Sequence, residues 1–282
     1  MSQETVYAIA SGKGGVGKTT TTVNLGTALA QAGKRVAIVD VDLGMANMAG
    51  FVSLDPSSTT LHDVLSGTAT LEEASYKLAE NIVAVPSGIE LEEYAKTSPE
   101  GIRDVVETLR ENFEYVLLDV GAGVSHETVL PLGLADSVLL VSTPEPASVH
   151  DSKKTLELTD RAGGRVGGLV ITRTLPSGDV SYEKIASGLD IPLLGTIPED
   201  PTVRESVYAG TPLVVHKPQS PAAVAYRKLA AKLAGITPPS TPSPGSDEED
   251  TASDGDSETD AESRAASHDE VSSAITEAET DP

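Results

Sequence analysis

The chain has 282 residues, 39% of them hydrophobic, which is enough to bury a sizeable core in one large or two small domains. A net charge of −23 argues against direct DNA binding and against an electrostatic membrane anchor, and the absence of cysteine excludes disulfides, iron–sulfur clusters and thiolate zinc sites. No run approaches 18 apolar residues and the N-terminus has no cleavable apolar segment, so we expect a cytoplasmic protein.

A glycine-rich stretch separates the first predicted strand, Val6 to Ala10, from the first predicted helix, Lys18 to Ala32. Gly12 to Thr19 fits the pattern G-x-x-x-x-G-K-[ST], in which backbone N–H groups and the helix N-terminus surround a phosphate. We expect Lys18 on the β- and γ-phosphates of a nucleotide, and the Thr19 hydroxyl on Mg²⁺. The alternative is a glycine-rich turn without a ligand, which would require neither side chain. The predicted nucleotide-binding residues of this loop are Gly12, Gly14, Gly15, Val16, Gly17, Lys18, Thr19 and Thr20.

A second lysine, Lys13, directly follows the first glycine of this loop. The resulting K-G-G-V-G-K-T resembles the deviant phosphate loop of the MinD/ParA family of ATPases. That resemblance implies ATP and Mg²⁺ as cofactors, and it implies that Lys13 reaches across an ATP-dependent homodimer to the partner's nucleotide. Taken alone, Lys13 could also be a solvated loop charge.

Two carboxylates, Asp40 and Asp42, follow the second predicted strand, Arg35 to Val39. Because ligands gather beyond the carboxyl ends of parallel strands, we expect both to face the nucleotide, and their spacing points them the same way if the strand continues. The stretch resembles the family's first switch, which implies that Asp42 orients the attacking water and that Asp40 lies near the Mg²⁺ shell. The alternative for the pair is a solvated strand end with a cap. The alternative for Asn47 is a turn residue rather than a switch residue.

Between residues 51 and 112 the sequence predicts structural elements without a site. Thr60 to Leu65 and Leu71 to Leu78 are predicted as short helices, and Ile82 to Val85 as a strand. Ser98-Pro99 precedes a helix whose apolar positions follow the spacing i, i+3, i+4 and i+7, namely Ile102, Val105, Val106 and Leu109.

Tyr115 to Asp119 is an apolar run that ends in a carboxylate. It resembles a Walker B strand, which implies that Asp119 holds Mg²⁺ through water. A single Asp at a strand end is common, so the assignment depends on the phosphate loop. The family's second switch has the pattern D-x-P-A-G, whereas this chain has Asp119-Val120-Gly121-Ala122-Gly123. Gly121 is expected to loosen that loop.

Three further strands are predicted in the second half of the chain: Ser137 to Val141, Gly167 to Ile171 and Ile191 to Ile197. The segment after the first strand resembles the family's N-P-E-x-x-S-x-R-D-S, with His150 in place of the Arg, and opens a helix that reaches about Arg161. The segments after the other two resemble loops that border the adenine, which implies base contacts for Arg173, Pro198 and Asp200. The alternative for these residues is a plain strand-end loop.

The C-terminal part divides into a last helix, Pro221 to Leu233, and an acidic tail. We interpret the helix as part of the core rather than as an amphipathic membrane helix, since no basic amphipathic stretch follows it. From 239 to 282 there are 14 acidic residues and one Arg, so the tail is expected to be disordered. Within it, Val271, Ala274, Ile275 and Ala278 have helical spacing and form either a docking helix for a partner or ordinary tail.

These observations predict an α/β domain over 1–237, with a mostly parallel twisted sheet of seven or eight strands and helices on both faces, followed by a disordered tail over 238–282. The resemblance implies a MinD-like, archaeal ATPase that cycles between an ATP-bound dimer and an ADP-bound monomer to position cellular machinery. The acidic excess in body and tail indicates a high-salt cytoplasm. Membrane or polar recruitment would need an unidentified protein partner, since no membrane-targeting helix is expected. The alternative function is a weakly hydrolysing, nucleotide-bound scaffold that recruits partners through its tail.

Overall fold

The structure is a computed structural model that describes residues 5–55, 58–89, 97–123, 126–175 and 181–237. The predicted acidic tail over 238–282, and with it the segment Val271 to Ala278, lies outside the described residues.

A central sheet of eight strands has the order β3-β4-β2-β5-β1-β6-β7-β8. Neighbouring strands are parallel except for β3 and β4, which pair antiparallel. The prediction of a mostly parallel sheet of seven or eight strands is confirmed. The strands are β1 (Val6–Ala10), β2 (Val36–Asp40), β3 (Tyr76–Ala79), β4 (Ile82–Val85), β5 (Tyr115–Asp119), β6 (Ser137–Ser142), β7 (Val166–Thr174) and β8 (Leu193–Pro198).

Helices connect the parallel strands, as parallel pairing requires. A short 3₁₀ turn, Pro99–Gly101, precedes α4. The helices of the described residues are α1 (Lys18–Gln31), α2 (Met48–Phe51), α3 (Leu61–Ser66), α4 (Ile102–Asn112), α5 (His126–Leu134), α6 (Pro146–Arg161), α7 (Tyr182–Gly188), α8 (Pro201–Tyr208), α9 (Leu213–His216) and α10 (Pro221–Ala234).

The core lies on both faces of the sheet. On one face α1, α9 and α10 cover the strands, with Leu25, Leu213 and Tyr226 fully or almost fully buried. On the other face α4 buries its predicted apolar stripe, including Ile102 and Leu109, against the strands. Buried strands such as β1 and β5 are apolar almost throughout because helices cover both of their sides.

Helix α1 lies unusually close to the sheet. A side chain at Gly26 would place its Cβ 2.6 Å from Cγ2 of Ile38, so only glycine permits this approach. After the helix ends at Gln31, Gly33 adopts a left-handed φ of 80° and turns the chain toward β2.

One predicted element is wrong. The sequence predicts a helix over Leu71 to Leu78, whereas Tyr76–Ala79 forms strand β3. The pairing of Ala79 with Ile82 shows that β3 and β4 form a tight hairpin at the sheet edge. The backbone of this segment is satisfied by that antiparallel partner, and such pairing overrides the helical spacing of a few apolar residues.

The packing of α10 supports our interpretation that this helix belongs to the core and is not an amphipathic membrane helix. Helix α10 packs against α1 and β8 and buries Ala222, Tyr226 and Leu229. Within the part of the chain that the structure describes, no helix has both the length and the apolar character needed to cross a membrane.

Candidate nucleotide site

The loop between β1 and α1 lies at the carboxyl edge of the sheet, where β2, β5, β6, β7 and β8 also end. Gly15 and Gly17 adopt left-handed φ angles of 77° and 95°, which side chains other than glycine rarely tolerate. Gly17 precedes α1, no described side chain caps that helix, and its first turn contains no acid. The first-turn N–H groups and the positive end of the helix dipole are therefore available to an anion.

The end of β7 holds this loop in shape. The Thr172 hydroxyl donates to the carbonyl oxygen of Val16 over 2.7 Å, and Nη2 of Arg173 donates to that of Gly15 over 2.7 Å. Within the loop, Oγ of Ser11 donates to the carbonyl oxygen of Lys13 over 2.8 Å. Two loop carbonyls are thus turned toward β7, which leaves the loop N–H groups free to face a ligand.

The start of α6 contacts the loop from another side. A Cβ at Gly12 would overlap the backbone carbonyl of Asp151, so glycine is required for this contact. Lys13 is exposed and lies near Glu145 and Asp151. The pKa of Glu145 is lowered first by a hydrogen bond with Thr143 and more weakly by Lys13, and that of Asp151 first by Lys154.

Asp119 is 2% exposed at the end of β5 and faces the start of α1. Oγ1 of Thr22 donates to its Oδ1 over 3.3 Å, and the Thr19 hydroxyl also bonds to it. Burial raises the pKa of Asp119, while the Thr19 bond and the charge of Lys18 oppose that shift. The structure therefore brings together Lys18, Thr19 and Asp119, three of the residues predicted from the motifs.

Asp40 lies directly opposite Asp119 in the register of β2 and β5 and is 1% exposed. Its Oδ1 accepts the N–H of Asp42 over 3.1 Å, and its Oδ2 accepts those of Asn47 and Met48, each over 3.0 Å. Burial and the neighbouring Asp119 raise the pKa of Asp40. Its carboxylate thus fixes the loop after β2 and accepts N–H groups at the start of α2, and the backbone of Asn47 belongs to that turn.

Asp42 follows the end of β2 and lies against the segment after β5. Its Oδ1 accepts the N–H of Met45 over 3.2 Å. A Cβ at Gly121 would lie 2.8 Å from the same oxygen, so Gly121 is a close contact of Asp42 and is itself buried. Repulsion from Asp42 contributes to the raised pKa of Asp119, which places the two carboxylates in the same site.

The donor set fits a magnesium ion. Thr19, Asp40, Asp42 and Asp119 carry oxygen atoms, the ligand type that Mg²⁺ prefers, and the buried Asp119 has Lys18 as a nearby positive charge. Among the described residues, no group of three or more His, Cys, Asp or Glu side chains could hold a metal by itself. Such a site suits an ion bound by one or two protein oxygens together with phosphates and water.

A cavity of about 840 Å³ opens beside the loop, between the ends of β7 and β8 and helix α8. All three predicted base-contacting residues, Arg173, Pro198 and Asp200, line it together with Gly17 and Thr20.

Two of those side chains also have structural partners. Arg173 holds Gly15, as described above, while Oδ1 of Asp200 accepts the N–H of Thr202 over 3.0 Å and its Oδ2 accepts that of Ala222 over 3.1 Å. Asp200 thereby caps α8 and ties it to the first turn of α10. Burial raises the pKa of Asp200, but these hydrogen bonds outweigh it and hold the pKa below the usual value.

Sequence analysis missed the wall that α8 contributes to the cavity. Arg204 and Tyr208, one helical turn apart, line the cavity, and the Arg204 guanidinium lies 6.0 Å from the centre of the Tyr208 ring. Asp200-Pro201 is a typical helix start, and this signal could have predicted the existence of α8, although not that the helix lines the cavity.

Comparison with known proteins agrees with this geometry. A family model described as the CobQ/CobB/MinD/ParA nucleotide binding domain matches residues 7–213. The chain belongs to this family. It is 39% identical over 229 residues to an uncharacterized ATP-binding protein of Methanocaldococcus jannaschii, a match that covers 81% of this chain and 87% of the relative.

Solved MinD structures show the same fold. The septum site-determining protein MinD of Pyrococcus horikoshii, complexed with Mg-ADP, is 36% identical with a TM-score of 0.77, over 81% of this chain and 95% of that one. The MinC:MinD cell division complex of Aquifex aeolicus matches with 29% identity and a TM-score of 0.72, over 84% of this chain and 98% of that one. The domain is therefore a MinD/ParA-type ATPase domain similar to MinD.

Proposed function

We propose that this protein hydrolyses ATP to ADP and phosphate and cycles between an ATP-bound homodimer and an ADP-bound monomer. Through this cycle it positions cellular machinery such as the division site, a cell pole, or motility or chemosensory arrays. The observation that carries the proposal is the cluster of Lys18, Thr19 and Asp119 at the open N-terminus of α1. Similarity to MinD, including a structure with Mg-ADP, supports ATP and Mg²⁺ as the cofactors.

Each residue of the cluster has a role that follows from its place. The loop N–H groups and Lys18 bind the phosphates, because they are the positive groups at the helix N-terminus. The Thr19 hydroxyl and Asp119 hold Mg²⁺, and Asp40 supports that site from the adjacent strand. When bound, the ion neutralises phosphate charge. Asp42 orients the attacking water by accepting a hydrogen bond from it.

Loss of the γ-phosphate is what separates the dimer. Lys13 is exposed on the loop and is therefore free to reach the phosphates of a second copy. Hydrolysis removes the charge that both copies share, so the attraction between them weakens. The timing of the cycle is set by a protein partner, which also recruits the protein to a pole or membrane. In this proposal the ATPase domain comprises residues 1–237, and the acidic segment 238–282 follows it in the sequence.

Phosphate release and light scattering on the full chain test this function, in molar KCl because the acidic composition supports a high-salt native solvent. The wild type should turn over ATP and dimerise with it. Lys18→Ala should do neither, whereas Asp42→Ala should dimerise but hydrolyse ATP only at a residual rate far below that of the wild type. Arg103→Ala, an exposed change on α4, is the control and should match the wild type.

Localisation of tagged copies in the native host then tests the positioning role. The wild type should form polar, mid-cell or moving patches that disperse with Lys18→Ala and stop moving with Asp42→Ala. A wild type that binds ATP but hydrolyses it no faster than Asp42→Ala would exclude the cycle and favour the scaffold. The same pattern for all three copies would show that nucleotide cycling does not determine location.

A further inference from the structure

We propose that Gly121 is a positioning residue for ATP hydrolysis, because the absence of a side chain there lets the Asp42 carboxylate lie directly on the segment after β5. This inference rests on the proposed function, in which Asp42 orients the attacking water. The sequence led us to expect that Gly121 loosens the loop after Asp119. The inference instead assigns Gly121 a role in holding Asp42 in place.

The register of the sheet brings the two residues together. Asp40 pairs with Asp119, and the N–H of Val41 donates to the Asp119 carbonyl oxygen over 3.0 Å, which continues the alignment beyond β2. If the parallel register of Asp40 and Asp119 is extended by two residues in each segment, Asp42 lies beside Gly121. Since side chains in neighbouring parallel strands point to the same face at paired positions, a side chain at 121 would point to the side of Asp42.

The available space is less than one methyl group requires. A Cβ at Gly121 would lie 2.8 Å from Oδ1 of Asp42, 3.0 Å from its Cγ and 3.3 Å from its Oδ2. All three atoms of the carboxylate therefore lie too close to this position for a Cβ to fit there without a shift. Any larger residue must displace that carboxylate or move the backbone.

Asp42 has little freedom to withdraw without losing other bonds. Its N–H is held by Asp40, and its Oδ1 accepts the N–H of Met45. Movement of the Asp42 carboxylate toward Asp119 is opposed by repulsion between the two charges. A displacement of the carboxylate therefore changes where a bound water lies relative to the phosphates, while the phosphate loop itself is untouched.

Steady-state kinetics on the full chain test this inference with Gly121→Ala, Asp42→Ala and the double variant. Gly121→Ala should lower kcat about tenfold, because misplacement of a reacting group by about 1 Å can cost ~100-fold and the displacement expected here is smaller. It should leave the affinity for a fluorescent ATP analogue unchanged. In the Asp42→Ala background the same change should have no further effect on kcat. Gly50→Ala, a change on α2 where a Cβ has open space, should behave as wild type.

Thermal unfolding of the wild type, Gly121→Ala, Asp42→Ala and the double variant gives a second readout that does not depend on activity. Gly121→Ala should lower the Tm in the wild-type background and much less in the Asp42→Ala background, since removing the carboxylate removes the clash. If Gly121→Ala does not fold, the double variant should fold.

Two sets of results overturn the inference. An unchanged or raised kcat for Gly121→Ala shows that the glycine does not position Asp42 for hydrolysis. Independent effects of the two changes on kcat, or equal loss of Tm in both backgrounds, show that Gly121 does not act through Asp42. Full activity of Asp42→Ala would instead contradict the proposed function, while the Tm comparison would still report on the contact.

Discussion

The guanidinium of Arg173 donates to the carbonyl oxygen of Gly15 over 2.7 Å and so links the end of β7 to the phosphate loop. Arg173 itself has a φ of 53°, a conformation uncommon for residues other than glycine. The backbone at this position therefore accepts a strained geometry that aims the side chain at the loop.

Arg173→Ala should weaken nucleotide binding about three- to tenfold, because it removes one charge-assisted hydrogen bond worth ~1 kcal/mol in a partly solvated position. Titration with a fluorescent nucleotide measures the change. The control is Arg103→Ala on α4, which removes an exposed arginine far from the loop and should leave the Kd at its wild-type value. Equal affinity for wild type and Arg173→Ala would show that the loop keeps its shape without this bond.

Gly26→Ala should destabilise the protein by about 1–3 kcal/mol, although alanine is the better helix former, because its Cβ would press on Ile38. Urea unfolding measures the loss. The matched control is Gly188→Ala at the end of α7, where a Cβ meets nothing within 4 Å, and its stability should be equal or higher. If both variants were equally stable, the close approach of α1 to the sheet would not depend on glycine.

Asp136 gives a pH dependence with a defined sign. Its Oδ2 accepts the N–H of Val6 over 2.8 Å and its Oδ1 bonds Arg110 over 2.8 Å. Burial raises the pKa of Asp136, but these partners outweigh it and lower the pKa below the usual value. A lowered folded-state pKa means that the stabilisation is present above the unfolded pKa of about 4 and is lost as the pH falls through the folded value.

Asp136→Asn should accordingly be less stable than wild type at pH 7, and the difference should shrink below about pH 4. Denaturant unfolding of both proteins across this range measures it. Subtracting the two curves removes the pH effects of the other carboxylates, since the remainder of the chain is identical. A difference that stays constant with pH would show that the Asp136 charge does not contribute.

Asp200→Ala should lower stability by about 1–3 kcal/mol, because it removes the cap of α8 and leaves the Ala222 N–H without its acceptor. Differential scanning calorimetry of the nucleotide-free protein measures the effect. Glu199→Ala, the exposed neighbour that lines the same cavity, should leave the Tm unchanged. An unchanged Tm for Asp200→Ala would mean that Asp200 has no structural role and would leave the base contact as its function.

The features predicted correctly from the sequence are those that depend on a short run of consecutive residues. Gly12 to Thr19 forms a local motif. Strands such as Val6–Ala10 and Tyr115–Asp119 end where an apolar run meets Ser-Gly or Asp, so both their type and their place could be predicted. The shared edge of Asp40 and Asp119 followed from parallel topology alone.

Features that depend on pairing between distant segments were not predictable. Strand β3 exists because its partner is β4, and the contact of Gly121 with Asp42 depends on a register that neither segment encodes alone. The three N–H bonds to Asp40 require a loop that folds back on its own strand. That α8 lines the cavity could not be predicted either, because this depends on where the helix packs in the folded chain.

The order of the strands shows which parts of the chain build the candidate site and which parts lie away from it. The candidate site draws on loops at the carboxyl ends of β1, β2, β5, β7 and β8, whereas the hairpin of β3 and β4 lies at one border of the sheet. In the part of the chain that the structure describes, the connections at the amino-terminal ends of the parallel strands lie at the opposite edge of the sheet from these groups. Insertions there, or changes along the β3 border, can therefore accumulate and alter which surfaces the protein offers, while the arrangement of phosphate-binding groups stays the same.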